Sequence, residues 1–198
     1  MTDAGSIESL LQELGDADST KRESAARAIY QQGLNLARPV VQAWIADVEF
    51  KRILVIQPGE FPVATIGVAV QPNSFERIRS ANASPSLADV PPDQDAKEFE
   101  LHFGNEIRLD VLTSREPAGE GAIARFLGKF GEGIQQIELM VHNVDRATET
   151  LQARFNQAPI YPATRPGADG TRVNFFLAAS PQGKKVLIEL VEENPRKS

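Results

Sequence analysis

The chain has 198 residues, 41% of them hydrophobic and 24% charged, enough to build one good-sized domain or two small ones around a real core. Its 27 acidic and 21 basic side chains leave a formal charge of −6, which argues against a nucleic-acid partner. The absence of cysteine excludes disulfides and thiolate chemistry, and no apolar run approaches the ~20 residues that span a bilayer, so no membrane partner is expected.

The first residues, MTDAGSIESLLQELG, lack the basic start and apolar run of a signal peptide, and a cytoplasmic location is expected. Residues 1–50 read as a helical N-terminal region. Ile7, Leu10, Leu11 and Leu14 fall at helical spacing, with Gly15 as a stop. Thr20 and Glu23 have capping-box spacing, Ala25, Ala26, Ile29 and Tyr30 form an apolar face, and Gly33 is expected to end that helix. A third segment opens near Pro39 and buries Val40, Val41, Trp44 and Ile45. Arg22, Ala25, Ala26, Ile29 and Gly33, followed by this amphipathic segment, resemble one HEAT-type helical hairpin. A single such unit seldom buries its face alone. The plainer expectation is therefore an extension packed on its own domain or a dimer mate, with a docking module for a partner protein as the alternative.

After Phe50 the period changes. Residues 51–62, KRILVIQPGEFP, predict an edge strand and a linker broken by Pro58, Gly59 and Pro62. From residue 63 to residue 193 the order strand, helix, strands occurs twice. VATIGVAV is a strand and NSFERIRSA a helix, and KEFELHF and EIRLDVL are strands joined at Gly104-Asn105. GAIARFLGKF connects to the second round. There GIQQIELMV is a strand and VDRATETLQARF a helix, and the strands API, TRVNFFLA and KKVLIELVE follow, with turns at Asp169-Gly170 and Gln182-Gly183. Residues 194–198 are expected to fray. The fold class implied is α+β, with two paired βαβββ modules after a small all-helical region.

This duplicated order resembles the vicinal oxygen chelate superfamily, which includes glyoxalase I, extradiol dioxygenases, bleomycin-resistance proteins and methylmalonyl-CoA epimerase. The epimerase is the nearest likeness. GEGIQQIELMV is similar to its GEGIHHIAL-V, PGADGTRVNFF to its GAHGKRVAFL, and KKVLIELVE to its GVLIELVE. TIGVAV is similar to the family's HVGIAV and VPPDQDA to its VPEQGV. The resemblance implies a cupped mixed sheet, a homodimer and four metal ligands, one from each of four strands. The ligand positions fall on Thr65, Arg108, Gln136 and Glu189, and only Glu189 keeps the family residue. Alternation agrees: Ile66, Val68 and Val70, Ile107, Leu109 and Val111, Ile137, Leu139 and Val141, and Ile188 and Leu190 form the helix-side faces, and the four site residues lie opposite.

A divalent ion wants carboxylate, imidazole or carbonyl donors. A guanidinium has no lone pair to give and stays charged. No metal and no other cofactor is therefore expected, with Arg108 supplying positive charge and pairing with Glu189. Asp93, in VPPDQDA, and Glu189 match the epimerase's acid–base glutamates, so the resemblance implies catalytic roles for them if the protein is an enzyme. The plainer reading of Asp93 is a loop residue after Pro91 and Pro92. His102 and His142 match no ligand position and read as solvated or hydrogen-bonded. Gly128, Gly131 and Gly133 end a helix rather than cradle phosphate. The leading expectation is a metal-free protein that binds a small organic ligand, carboxylate or acyl-CoA-like, through Arg108, Gln136, Thr65 and Glu189. The alternatives are an epimerase- or lyase-like enzyme and a protein-interaction module.

Overall fold

The computed structural model describes residues 5–56, 61–179 and 185–192. The linker residues 57–60, the Gln182-Gly183 turn and the 194–198 tail lie outside them. The protein is α+β, with paired modules that each carry a mixed sheet, preceded by helices, as the sequence implies. Two compact units are formed, one from the chain up to Gly33 with Thr65–Gln135, the other from Leu34–Ala64 with the chain from Gln136 onward. The helical region expected at 1–50 thus contributes to both units.

In the first unit, α1 (Ile7–Leu14) and the start of α2 (Ser19–Ile45) precede β1 (Thr65–Ala69), α4 (Pro72–Ala81), β2 (Ala96–Phe103), β3 (Ile107–Ser114) and α5 (Ala122–Phe130); α3 (Val48–Ile53) belongs to the second unit. β1 pairs parallel to β3, with Ile66 beside Leu109, and β2 pairs antiparallel to β3, with Phe99 opposite Val111. The alternating apolar residues turn inward: Ile66, Val68, Leu109 and Val111 are fully buried, and Phe75 of α4 meets Phe99 edge-on at 4.8 Å. Leu11, Leu14, Ala25, Ala26 and Ile29 are also fully buried, so the N-terminal helices bury their apolar face. Polar bonds fix α1 to α4. Arg77 donates to the carbonyl of Gln12 at 2.7 Å and Asn82 to that of Leu14 at 3.0 Å, occupying carbonyls that a helix end leaves open.

In the second unit, β4 (Gly133–Met140, most of it here) pairs parallel to β7 (Lys185–Glu192). β7 pairs antiparallel to β6 (Arg172–Ala179), and β6 to the two-residue β5 (Arg165–Pro166). α6 (Val144–Phe155) buries Val144, Ala147 and Leu151. Trp44 packs edge-on against Phe50 and Phe176 at 5.7 and 6.4 Å, which joins the end of α2 to α3 and β6.

Four local readings differ from the structure. Thr20 does not cap α2 but lies within it, and its N–H donates to Asp18 Oδ1 at 2.8 Å. Gly33 does not end a helix, because α2 runs on through both Gly33 and Pro39. A Cβ at Gly33 would lie 2.5 Å from Cδ1 of Ile66 and 2.8 Å from both its γ carbons, so this glycine allows the helix to approach β1. The edge strand expected at 51–62 is helix α3 as far as Ile53, followed by a single antiparallel bridge between Leu54 and Val141. Asp47 caps α3 by accepting from the Phe50 N–H at 2.9 Å, a start signal just before the stretch that reads as strand. The strand expected at API is one bond, from the Ile160 N–H to the Phe175 carbonyl at 2.7 Å, because Pro159 has no N–H to donate. In the first module the corresponding stretch is coil. Ala83 and Ser84 take left-handed φ of 60° and 50°, three prolines follow, and one bond from Ala88 to Glu98 remains of a ladder.

Candidate functional site

The sheet of the first unit carries Thr65 and Arg108. Each lies one residue before the Ile66–Leu109 pair, on neighbouring strands and on the face opposite the buried one. Thr65 is buried and Arg108 exposed. The Arg108 guanidinium makes no hydrogen bond or ion pair to any described residue. The β2–β3 register sets His102 directly across from Arg108 and Glu100 across from Asp110. His102 Nε2 lies 2.9 Å from Glu100 Oε2.

The second unit carries Gln136 on β4 and Glu189 on β7, both 7% exposed. The Gln136 amide donates to Glu189 Oε2 at 2.6 Å and reaches Glu138 Oε1 at 3.3 Å. Glu138 is the register partner of Glu189, so two carboxylates sit side by side with one amide between them. Glu192, three residues on, is used differently. It accepts from the Val144 N–H at 2.7 Å, at the start of α6, and from Arg172. Arg172 also bonds Asp145, whose carboxyl is held below its usual range by the Thr164 hydroxyl first and by Arg172 second.

Asp93 is exposed in a turn closed by a bond from the Gln94 N–H to the Pro91 carbonyl at 3.0 Å. The loop around it is fixed. Arg115 donates to the Val90 carbonyl, and Asp95 accepts from the Ser114 hydroxyl at 2.8 Å and from the Glu116 N–H at 3.1 Å. Asp93 belongs to the first unit and Glu189 to the second. His142 is exposed, and its backbone N–H bonds the Ile53 carbonyl.

The sequence puts Gln136 and Glu189 on one face but leads to Arg108 as the expected partner of Glu189, where the bonded residue is Gln136; it does not single out Glu138, nor Glu100 as the neighbour of His102. The signal for the last two was present, since Glu98, Glu100 and His102 alternate with Phe99, Leu101 and Phe103. The strand register that sets His102 across from Arg108 is not legible in one sequence.

Arg108 has no lone pair, Gln136 turns its N–H and not its oxygen to Glu189, and threonine is a weak neutral ligand. Among the described residues, no group of three or more His, Cys, Asp or Glu could hold an ion. No described helix is long and apolar enough to cross a membrane.

No protein-family model matches the sequence. No curated protein sequence matches it. Solved structures do. Methylmalonyl-CoA epimerase from Mycobacterium tuberculosis is 26% identical with a TM-score of 0.56, over 72% of this chain and 95% of that one. A hypothetical protein from Bacillus halodurans is 26% identical with a TM-score of 0.55, over 69% and 96%. The Streptomyces coelicolor epimerase in complex with 2-nitronate-propionyl-CoA is 21% identical with a TM-score of 0.52, over 68% and 98%. The chain has the vicinal oxygen chelate fold. Within that fold it is similar to methylmalonyl-CoA epimerase, as the strand motifs implied.

Proposed function

We propose that the protein binds a small organic anion, a carboxylate or an acyl-CoA, through Arg108, Thr65, Gln136 and Glu189 and without a metal ion. The observation that carries this reading is Arg108. It stands at a position where the resembled fold keeps a ligand to its metal, and it leaves five N–H donors without a partner among the described residues. A planar guanidinium of this kind suits a carboxylate or phosphate oxygen pair. The epimerase structures with acyl-CoA compounds support the choice of ligand class. Removing the charge, with Arg108→Met, is expected to abolish the thermal shift produced by malonyl-type CoA thioesters and small dicarboxylates. An unchanged shift would count against the reading.

A second reading, an epimerase- or lyase-like enzyme using Asp93 and Glu189 for proton transfer, is favoured by the fixed loop that holds Asp93 exposed. A third, docking through the N-terminal helices, draws less support because their apolar face is already buried. Homodimerisation and a cytoplasmic location remain part of the proposal, with light scattering as the check on the first.

A further inference from the structure

We infer that the face of the second unit that carries Gln136 and Glu189 also holds a subsite for an apolar branch of the ligand, formed by Phe175, Leu177 and Leu187. The subsite selects an alkyl or aryl substituent over a further carboxylate. This deepens the ligand reading above and rests on it. Strand register brings the three side chains together: Phe175 of β6 pairs with Glu189 of β7, and Leu177 with Leu187. Residues paired in this way share a face of the sheet. The opposite face is the core side, where Phe176 and Ile188 are fully buried and Asn174 bonds Thr148 of α6 at 3.4 Å. On the face of Glu189, Phe175 and Leu187 are half-exposed and Leu177 is 47% exposed, so apolar surface adjoins the candidate site without a break.

Phe175 is held in place. Tyr161 meets its ring edge-on at 6.0 Å, Arg165 lies over the Tyr161 ring at 4.3 Å, and the Phe175 carbonyl accepts from the Ile160 N–H. A ring already ordered loses little freedom when a ligand packs on it. Charge then decides what this face accepts. Glu138 is the register partner of Glu189 on the side of β7 away from Phe175, so a substituent on Phe175 and Leu187 lies next to a pair of carboxylates. A further carboxylate there would meet like charge, whereas an alkyl or aryl group gains by leaving water. The cations of the same face stand toward its ends, Lys185 paired with Ala179 and Arg165 with Val173.

The test is a series of thioesters with one head and different branches. Malonyl-CoA and its 2-butyl, 2-benzyl and 2-carboxymethyl derivatives are titrated calorimetrically into the full-length protein. The wild type is expected to bind the butyl and benzyl thioesters about 10-fold or more tighter than malonyl-CoA, and the carboxymethyl thioester no tighter than malonyl-CoA. Phe175→Ala and Leu177→Asp are expected to lose most of that gain, so that branched and unbranched thioesters bind alike. Melting temperatures are taken for both, and Leu177→Asp, at an exposed position, decides alone if Phe175→Ala unfolds. A wild type that binds every branch equally, or the carboxymethyl branch most tightly, would overturn the inference and leave the ligand reading in place. The full gain persisting in Leu177→Asp would overturn it as well. If no thioester binds, both fall.

Discussion

Gln136 and Glu189 show how a single hydrogen bond constrains a site. Both are buried, and the amide donates to the carboxylate at 2.6 Å. A charge-assisted bond of this kind contributes more than a neutral one, and losing it takes one donor from a buried carboxylate. Gln136→Leu is therefore expected to destabilise the fold by about 1–3 kcal/mol in chemical denaturation, with Gln136→Asn intermediate. A variant as stable as the wild type would mean that the bond is replaced by solvent. The faces of these residues were legible in the sequence because a strand alternates with period two, and Ile137 and Leu139 mark the inner side. What was not legible is the pairing. Glu138 beside Glu189, and His102 across from Arg108, follow from strand register, which is set between segments far apart in sequence.

At the scale of elements, α2 is the part where local signals misled. Glycine and proline are the usual punctuators of a helix, yet α2 runs through Gly33 and Pro39 because tertiary packing overrides propensity. Gly33→Ala tests this directly. On propensity alone it would stabilise an α-helix by up to about 1 kcal/mol. The Cβ would instead meet Ile66 at 2.5 Å, so a net loss of about 1–3 kcal/mol is expected, as for overpacking elsewhere. Combining it with Ile66→Ala should relieve part of that loss, and strict additivity of the two would contradict the packing account. The ends of α3 and α6 carry a pH dependence. Asp47 is held below its ordinary value of 3.8, first by the Phe50 N–H and then by Arg154, and Asp145 below the same value by Thr164 and then Arg172. A depressed carboxyl contributes stability above its unfolded value and loses it as pH falls through the folded one. Melting temperature should therefore hold above about pH 4 and fall below it. Asp145→Asn should flatten that acid limb, and a limb of unchanged steepness would assign it to other groups.

For the molecule as a whole, the paired modules and the α+β class were legible because two periods, 3.6 and 2, change over near residue 50. The role of the N-terminal helices was not, since an apolar helix face does not name what it packs on. Leu11 is fully buried, and Leu11→Ala is expected to cost about 2–5 kcal/mol, comparable to Leu139→Ala in the second unit. A negligible cost would restore the docking-module reading. The central proposal is that the Arg108 guanidinium, and not a metal ion, meets the negative charge of the ligand. The most direct measurement is calorimetric binding of methylmalonyl-CoA to the wild type and Arg108→Met, each with and without chelator, alongside the metal content of the purified protein. The account predicts binding that is indifferent to chelator and lost in Arg108→Met. One tightly held ion per chain, with binding that chelator abolishes and Arg108→Met preserves, would contradict it.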